Sequence, residues 1–264
     1  MGVLRLALCG LTFVTTCVAG TPGPSFAVAG VVNAATGQTG LAPYSICTLY
    51  GSNLYLNGTA QASGQSSVPN QLGGVTVQIG VIQVGLFFVS ANQINFLIPN
   101  SFTPGDYTIR VVRDGMTSAT APITIQEVAP GLFASSGFVQ AFHADGTAVT
   151  AQSVAVPGEI VVFYGTGLGR AQPNPEGLEI MQSAATIVHA ADFQVLLDGV
   201  PIDPSLVQYV GVAPFNAGLY QVNVQLPDNL SPANPNLQVS VAGLPSPYGV
   251  LLNTAPQSSP QPVQ

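Results

Sequence analysis

Tyr220-Gln221-Val222-Asn223-Val224-Gln225-Leu226-Pro227 alternates apolar and amide side chains without a break. A period of two sends successive side chains to opposite faces, so one face of this stretch meets a core and the other meets water. It reads as a half-buried strand. The same alternation runs through Val75, Val77 and Ile79, through Tyr107, Ile109 and Val111, and through Leu237, Val239 and Val241. Asp114-Gly115 and Asp198-Gly199 supply pairs that tolerate positive φ, which suits two-residue hairpins. The best helical candidate, Ile180 to Ala191, is Ala-rich and poorly periodic.

An earlier version of the opening stretch stands at Gln93-Ile94-Asn95-Phe96-Leu97-Ile98-Pro99. Upstream of each copy lies a second shared block, Tyr50-Gly51-Ser52-Asn53-Leu54 and Tyr164-Gly165-Thr166-Gly167-Leu168. Self-similarity of this kind marks one structural plan used twice. The blocks are 43 residues apart in the first copy and 57 in the second, an insertion of 14. Insertions belong in surface loops, and Gln172 to Met181 and Gly211 to Gly218 are the places for it. Many short strands with frequent turns predict an all-β fold of two tandem immunoglobulin-like antiparallel β-sandwiches. The first is placed over 30–126 and the second over 127–253, joined around Val128-Ala129-Pro130-Gly131.

Charge narrows the function. The chain of 264 residues has four Lys+Arg (all Arg), eleven Asp+Glu and a formal charge of -7, so phosphate backbones are repelled and a nucleic-acid partner is excluded. Charged residues are 6% of the chain against roughly 25% in ordinary domains. Little titratable chemistry is left for catalysis.

The first 20 residues predict a cleaved secretory signal: Arg5, an apolar run from Leu6 to Val18, and Cys17-Val18-Ala19 before Gly20. A second cleavage position is Ala27-Val28-Ala29 before Gly30. No later apolar run reaches the ~20 residues a spanning helix needs, so an extracellular or periplasmic address is expected. Residues 21–29 then form a linker, and 254–264, which ends PQSSPQPVQ, a disordered tail. Cys9 and Cys17 leave with the signal, and Cys47, in the run Ile46-Cys47-Thr48-Leu49-Tyr50, is expected to be a small buried hydrophobe.

Together with Gly30-Val31-Val32-Asn33-Ala34-Ala35, Leu41-Ala42-Pro43, Leu72-Gly73-Gly74-Val75 and Pro130-Gly131-Leu132-Phe133, the repeated blocks carry a family likeness. The chain resembles the Solibacter-type C-terminal domain family of secreted acidobacterial proteins over roughly Gly30 to Leu252. The resemblance implies paired immunoglobulin-like modules of the IPT/TIG kind, with no catalytic or ligand residues to carry over. Tyr44 stands where that family commonly has Gly.

Candidate chemistry is sparse. Among the histidines, His143 lies near Asp145 and His189 near Asp192, and the first pair reads more naturally as a residue beside an Asp-Gly turn. A His143 or His189 hydrogen-bonded to both a carboxylate and a Ser or Cys would overturn the non-catalytic reading. Gly165-Thr166-Gly167-Leu168-Gly169-Arg170 lacks the following helix a dinucleotide site requires, and reads as a strand leaving its sheet through a positive-φ turn. Neither a cofactor nor a resident metal is expected; Asp106, Asp114, Glu127, Asp145 and Glu159 are the carboxylates that a calcium ion between the modules would gather. Tyr44, Tyr55, Tyr209 and Tyr248 are the candidates for an exposed binding patch, and the outward amides of Gln221, Asn223 and Gln225 offer neutral hydrogen bonds for adhesion.

The expected function is a secreted, non-catalytic tandem module for adhesion, scaffolding or surface assembly, with a protein or glycan partner outside the cytoplasm. A glycan- or peptide-binding module is the alternative, and an unrecognised hydrolase a distant third.

Overall fold

The computed structural model describes residues 21–63, 66–175, 177–230 and 233–254. Residues 1–20, where a leader is expected, and the expected tail beyond Thr254 lie outside the described residues. The described residues are all-β, apart from two short 3-10 turns at Ala190–Asp192 and Pro204–Leu206.

In the N-terminal half, strand Ile46–Ser52 pairs antiparallel with Ser25–Asn33 on one side and Gln93–Leu97 on the other. Gly85–Ser90 and Thr59–Gln61 complete this five-stranded sheet. A second sheet runs Ala121–Ile125, Gly105–Arg113, Val75–Ile79 and Ile82–Gln83 in spatial order. Both sheets feed one hydrophobic cluster: Leu49, Leu86 and Phe96 come from the first, and Val77, Ile109 and Val111 from the second. Residues 25–29 belong to the first strand, not to a linker. Cleavage before Gly30 would therefore cut this strand in two.

The C-terminal half repeats the central pairing. Ile160–Thr166 lies antiparallel to Tyr220–Gln225, with Tyr164 opposite Gln221, just as Tyr50 lies opposite Gln93 in the first half. The two shared blocks are thus neighbouring strands of one sheet in each copy, in the same register. A separate sheet of Gln194–Leu197, Val200–Pro201, Leu237–Val241 and Leu244–Pro245 contributes Val195, Leu237, Val239 and Val241 to the second cluster. Asp114-Gly115 and Asp198-Gly199 form the hairpin turns, at φ 48° and 81° and at φ 51° and 78°. Asn53 and Gly167, equivalent in the two copies, share positive φ of 55° and 78°. This confirms the structural reading of the Gly-rich segment, and a Cβ on Gly167 would also collide with the Ala129 carbonyl.

Ile180 to Ala191, the weak helical candidate, contains the strand Ala185–Ile187 and the start of one 3-10 turn; its apolar residues point alternately inward, with Ala185 and Ile187 buried around an exposed Thr186. One expectation fails: the inserted residues are not free surface loops. Leu178 and Ile180 pair with the first half, the Val68 N–H donating to the Leu178 carbonyl at 2.8 Å and the Ile180 N–H to the Ser66 carbonyl at 2.9 Å. Ile180 and Met181 are buried.

These loops join the halves into one packed body. Tyr44, Val68 and Leu97 of the first half belong to the hydrophobic cluster of the second. Thr166 Oγ1 accepts from the Ile46 N–H and donates to the Gly218 carbonyl, both at 2.8 Å. Asn100 accepts from the Ala171 N–H at 3.0 Å, and Asn33 Nδ2 donates to the Ala129 carbonyl at 2.9 Å. Buried polar groups at the junction thus find partners across it, as burial demands.

Candidate functional site

Tyrosine placement corrects the sequence reading first. Tyr44 is fully buried and Tyr55 is 9% exposed, so neither belongs to a surface patch. Tyr44 occupies φ 55°, the left-handed backbone that a Gly at this position would adopt without strain. The turn aims its ring into the junction, edge-on to Tyr220 with centroids 6.3 Å apart. Its hydroxyl donates to the Glu179 carbonyl at 3.3 Å. Burial, helped by the charge of Glu179, pushes the phenol of Tyr44 well above the ordinary range, and burial alone leads for Tyr220. Tyr209 is half-buried, its hydroxyl donating to the Val212 carbonyl at 2.7 Å. Only Tyr248 of the four is openly exposed, at 70%.

The amide faces are also largely committed. Gln221 Nε2 donates to Asn223 Oδ1 at 2.8 Å, and Gln93 Nε2 makes the same bond to Asn95 Oδ1 at 2.9 Å. Gln225 Nε2 donates to the Gly158 carbonyl at 3.2 Å. The repeated Gln-x-Asn pattern therefore ties side chains together along its own strand.

The five carboxylates considered for a cation are dispersed. Asp106 accepts from the Thr124 hydroxyl, Asp145 from Thr147, and Asp114 sits in its hairpin beside Arg113. Among the described residues no three acidic, His or Cys side chains come together as a metal site. Glu127 instead forms an ion-pair cluster within the second half. Its Oε1 lies 3.3 Å from Arg170 Nη2 and 3.2 Å from His189 Nε2. Partial burial works against its ionisation, but the bonds from His189 and Arg170 outweigh that and hold the carboxyl below its usual value. Cys47 is buried beside Ser45, and burial pushes its thiol up to about 12, so a thiolate nucleophile is not at hand.

One cluster meets the geometric condition set for catalysis. His143 Nδ1 is 3.2 Å from Glu159 Oε1, and His143 Nε2 is 3.1 Å from Ser153 Oγ. Asp145 turns into its own loop to bond Thr147, as the Asp-Gly turn reading expects; the partner of His143 is Glu159, immediately before the next strand, which sequence reading did not find. The arrangement nevertheless favours a clasp over a nucleophile. Nε2 also faces the Ser153 carbonyl oxygen at 3.3 Å, an atom that only accepts. In the tautomer that donates there, Nε2 is not free to take a hydroxyl proton; in the other, it accepts from Ser153 Oγ. Ser153 lies in an exposed turn, and its own N–H is taken by Thr150 Oγ1 at 3.1 Å. That N–H is thus unavailable as an oxyanion donor, the feature that usually supplies the largest catalytic effect.

Two of the concave regions among the described residues bear on binding. The first lies where the halves meet, a cleft of about 280 Å³ lined by Ile46, Val68, Phe87, Ile180 and Phe215. Phe215 is 68% exposed at φ 64°, and its N–H donates to the Met181 carbonyl at 2.7 Å. A bulky residue held in that conformation with its ring in solvent is a strained presentation. The sequence signal was present as Pro214-Phe215-Asn216 within an inserted loop, yet nothing in the pattern separates an exposed Phe there from a buried one. The second region is a cavity of about 620 Å³ at the end of the C-terminal half, with Leu197, Ile202, Leu206 and Leu230 on its floor. Asp198, Asp203 and Asp228 stand around its mouth.

No family model and no curated protein matches the chain. Solved structures give remote likenesses. SGBP-B of the Bacteroides ovatus mixed-linkage glucan utilization locus, in complex with a mixed-linkage heptasaccharide, is 13% identical, covers 81% of this chain and 39% of its own, and superposes with a TM-score of 0.30. SGBP-B from a Bacteroides uniformis xyloglucan utilization locus is 11% identical, with 87% and 49% coverage and a TM-score of 0.27. The plexin A4 extracellular region is 10% identical, covering 87% of this chain and 18% of its own at a TM-score of 0.30. This chain spans less than half of each, and likeness at this level carries no functional argument.

Proposed function

We propose that the chain is a secreted, non-catalytic pair of immunoglobulin-like sandwiches of the Solibacter-type family, serving as an adhesive or assembly module. The observation that carries this reading is the fusion of two sheet-built cores into one body whose most exposed large apolar side chains sit on turns, loops and one two-residue edge strand. Val81 is 95% exposed, Tyr248 70%, Phe215 68% and Val200 66%. Such side chains, presented by a stiff scaffold, suit recognition by contact. The leader-like first 20 residues support export, and among the described residues no helix is long and apolar enough to cross a membrane.

The test is a pull-down of the full chain, processed as the producing cell leaves it, against envelope and secreted material. A saturable partner is the expected result; its absence rejects adhesion and binding alike. N-terminal sequencing of the exported chain checks the leader, with cleavage expected next to Gly20 rather than before Gly30.

Glycan or peptide binding is the second reading, favoured by the strained exposed ring of Phe215 beside the inter-half cleft. Changing Phe215→Ala should then weaken the captured interaction more than Tyr248→Ala does.

A further inference from the structure

The 620 Å³ cavity of the C-terminal half has the size of a ligand site and an unusual distribution of charge. Its floor is aliphatic, from Leu197, Ile202, Leu206 and the buried Leu226. Its mouth carries three carboxylates brought by three separate turns. Asp198 comes from the hairpin between Gln194–Leu197 and Val200–Pro201, Asp203 caps the 3-10 turn Pro204–Leu206, and Asp228 follows the strand Tyr220–Gln225.

Each of the first two is held in place. Asp198 Oδ1 accepts from the Asn236 N–H at 2.8 Å, and Asp203 Oδ1 from the Ser205 N–H and hydroxyl at 2.9 and 2.8 Å. The Ser205 backbone bond, then its hydroxyl, keeps the Asp203 carboxyl below its ordinary value, so the negative charge persists at neutral pH. No Arg or His lines the cavity, and none of the three Asp forms an ion pair among the described residues.

The wall adds one further constraint. Val200–Pro201 is the edge strand of its sheet, and both residues line the cavity. Pro201 has no N–H, so this short edge offers no full ladder, and an extended peptide lying beside it is held by side-chain contacts.

We propose that this cavity binds a short extended peptide segment of a partner protein in which Lys or Arg alternates with bulky aliphatic residues. The aliphatic side chains enter the floor, and the cations meet Asp198, Asp203 and Asp228. The inference deepens the binding reading above and rests on it, by naming the site and the chemistry of its partner.

The probe is a fluorescein-labelled hexapeptide alternating Leu and Lys, titrated with the full chain at low salt and followed by anisotropy. Saturable binding is expected, weakening as salt screens the exposed charges. The double variant D203N/D228N should bind about five-fold more weakly, as rim charges do when lost in pairs, whereas D106N in the other half should bind normally. Val200 is exposed, so V200K tests the same mouth without touching the core, and it should abolish binding. Near-UV circular dichroism confirms that each variant folds. Equal binding of a Leu/Glu hexapeptide, unchanged affinity in D203N/D228N and V200K, or displacement by butylamine at equal concentration would each overturn the proposal. Failure of the peptide to bind, alongside a saturable partner in the pull-down, rejects this site and leaves the adhesive reading standing.

Discussion

Tyr44 combines two costs that a folded chain tolerates only for a return: a left-handed backbone and a desolvated hydroxyl. The return is the ring itself, which fills the junction against Tyr220. Truncating it leaves a hole that neither half can collapse to fill. Tyr44→Ala should cost about 3–5 kcal/mol, and Tyr44→Phe, which loses only the bond to Glu179, about 1 kcal/mol; urea unfolding followed by tyrosine fluorescence measures both. Ser153 is the opposite case, a residue whose neighbours resemble chemistry. Because His143 Nε2 faces the Ser153 carbonyl as well as its hydroxyl, a fluorophosphonate probe should leave Ser153 unlabelled. Labelling there, lost in Ser153→Ala, would reject the non-catalytic reading.

At the scale of elements, alternation was the reliable signal. The strands at Val75–Ile79, Gly105–Arg113, Tyr220–Gln225 and Leu237–Val241 were legible because one core face forces a period of two. The repeat was legible too, since both copies need the same Tyr-to-Gln register. What stayed hidden depends on pairs distant in sequence: Glu159 beneath His143, Phe215 beside Val68, and the burial of Tyr44 and Tyr55. An isolated aromatic in a turn carries no local mark of which way the turn aims it. The inserted loops misled for the same reason, because their cover comes from the other half. Gly218 illustrates this: a Cβ there, at φ 73°, would stand 2.7 Å from Leu97 Cδ1 and 2.9 Å from Ile46 Cγ1. Gly218→Ala should cost about 2–4 kcal/mol through strain and overpacking. Gly199→Ala, at φ 78° but with open space around it, should cost only about 1 kcal/mol. Thermal shifts of the two variants make the comparison.

On the scale of the whole molecule, the shared cluster predicts shared unfolding. Since Tyr44, Val68 and Leu97 pack into the second core, calorimetry should show one cooperative transition. Residues 127–254 alone should be less stable and should bind the dye ANS at the surface stripped of its cover. Glu127 gives the second half a dependence on acid. Its folded carboxyl titrates lower than the same group in the unfolded chain, so its contribution is complete above the unfolded value and fades as pH falls through the folded one. Glu127→Gln should therefore lower the melting temperature slightly above ~pH 5 and make no difference by ~pH 3. The effect stays below about 1 kcal/mol because solvent reaches the group.

The clamp around Gly218 also bears on how the polypeptide is born. Leu97 and Ile46 are synthesised long before the glycine that closes over them, and at roughly 5–20 residues per second that delay lasts about 6–24 s. During it the nascent first half carries a sticky flank with nothing yet to cover it. A ribosome-associated or export chaperone would find its binding surface there, and slowing translation between the two copies would lengthen the hazard.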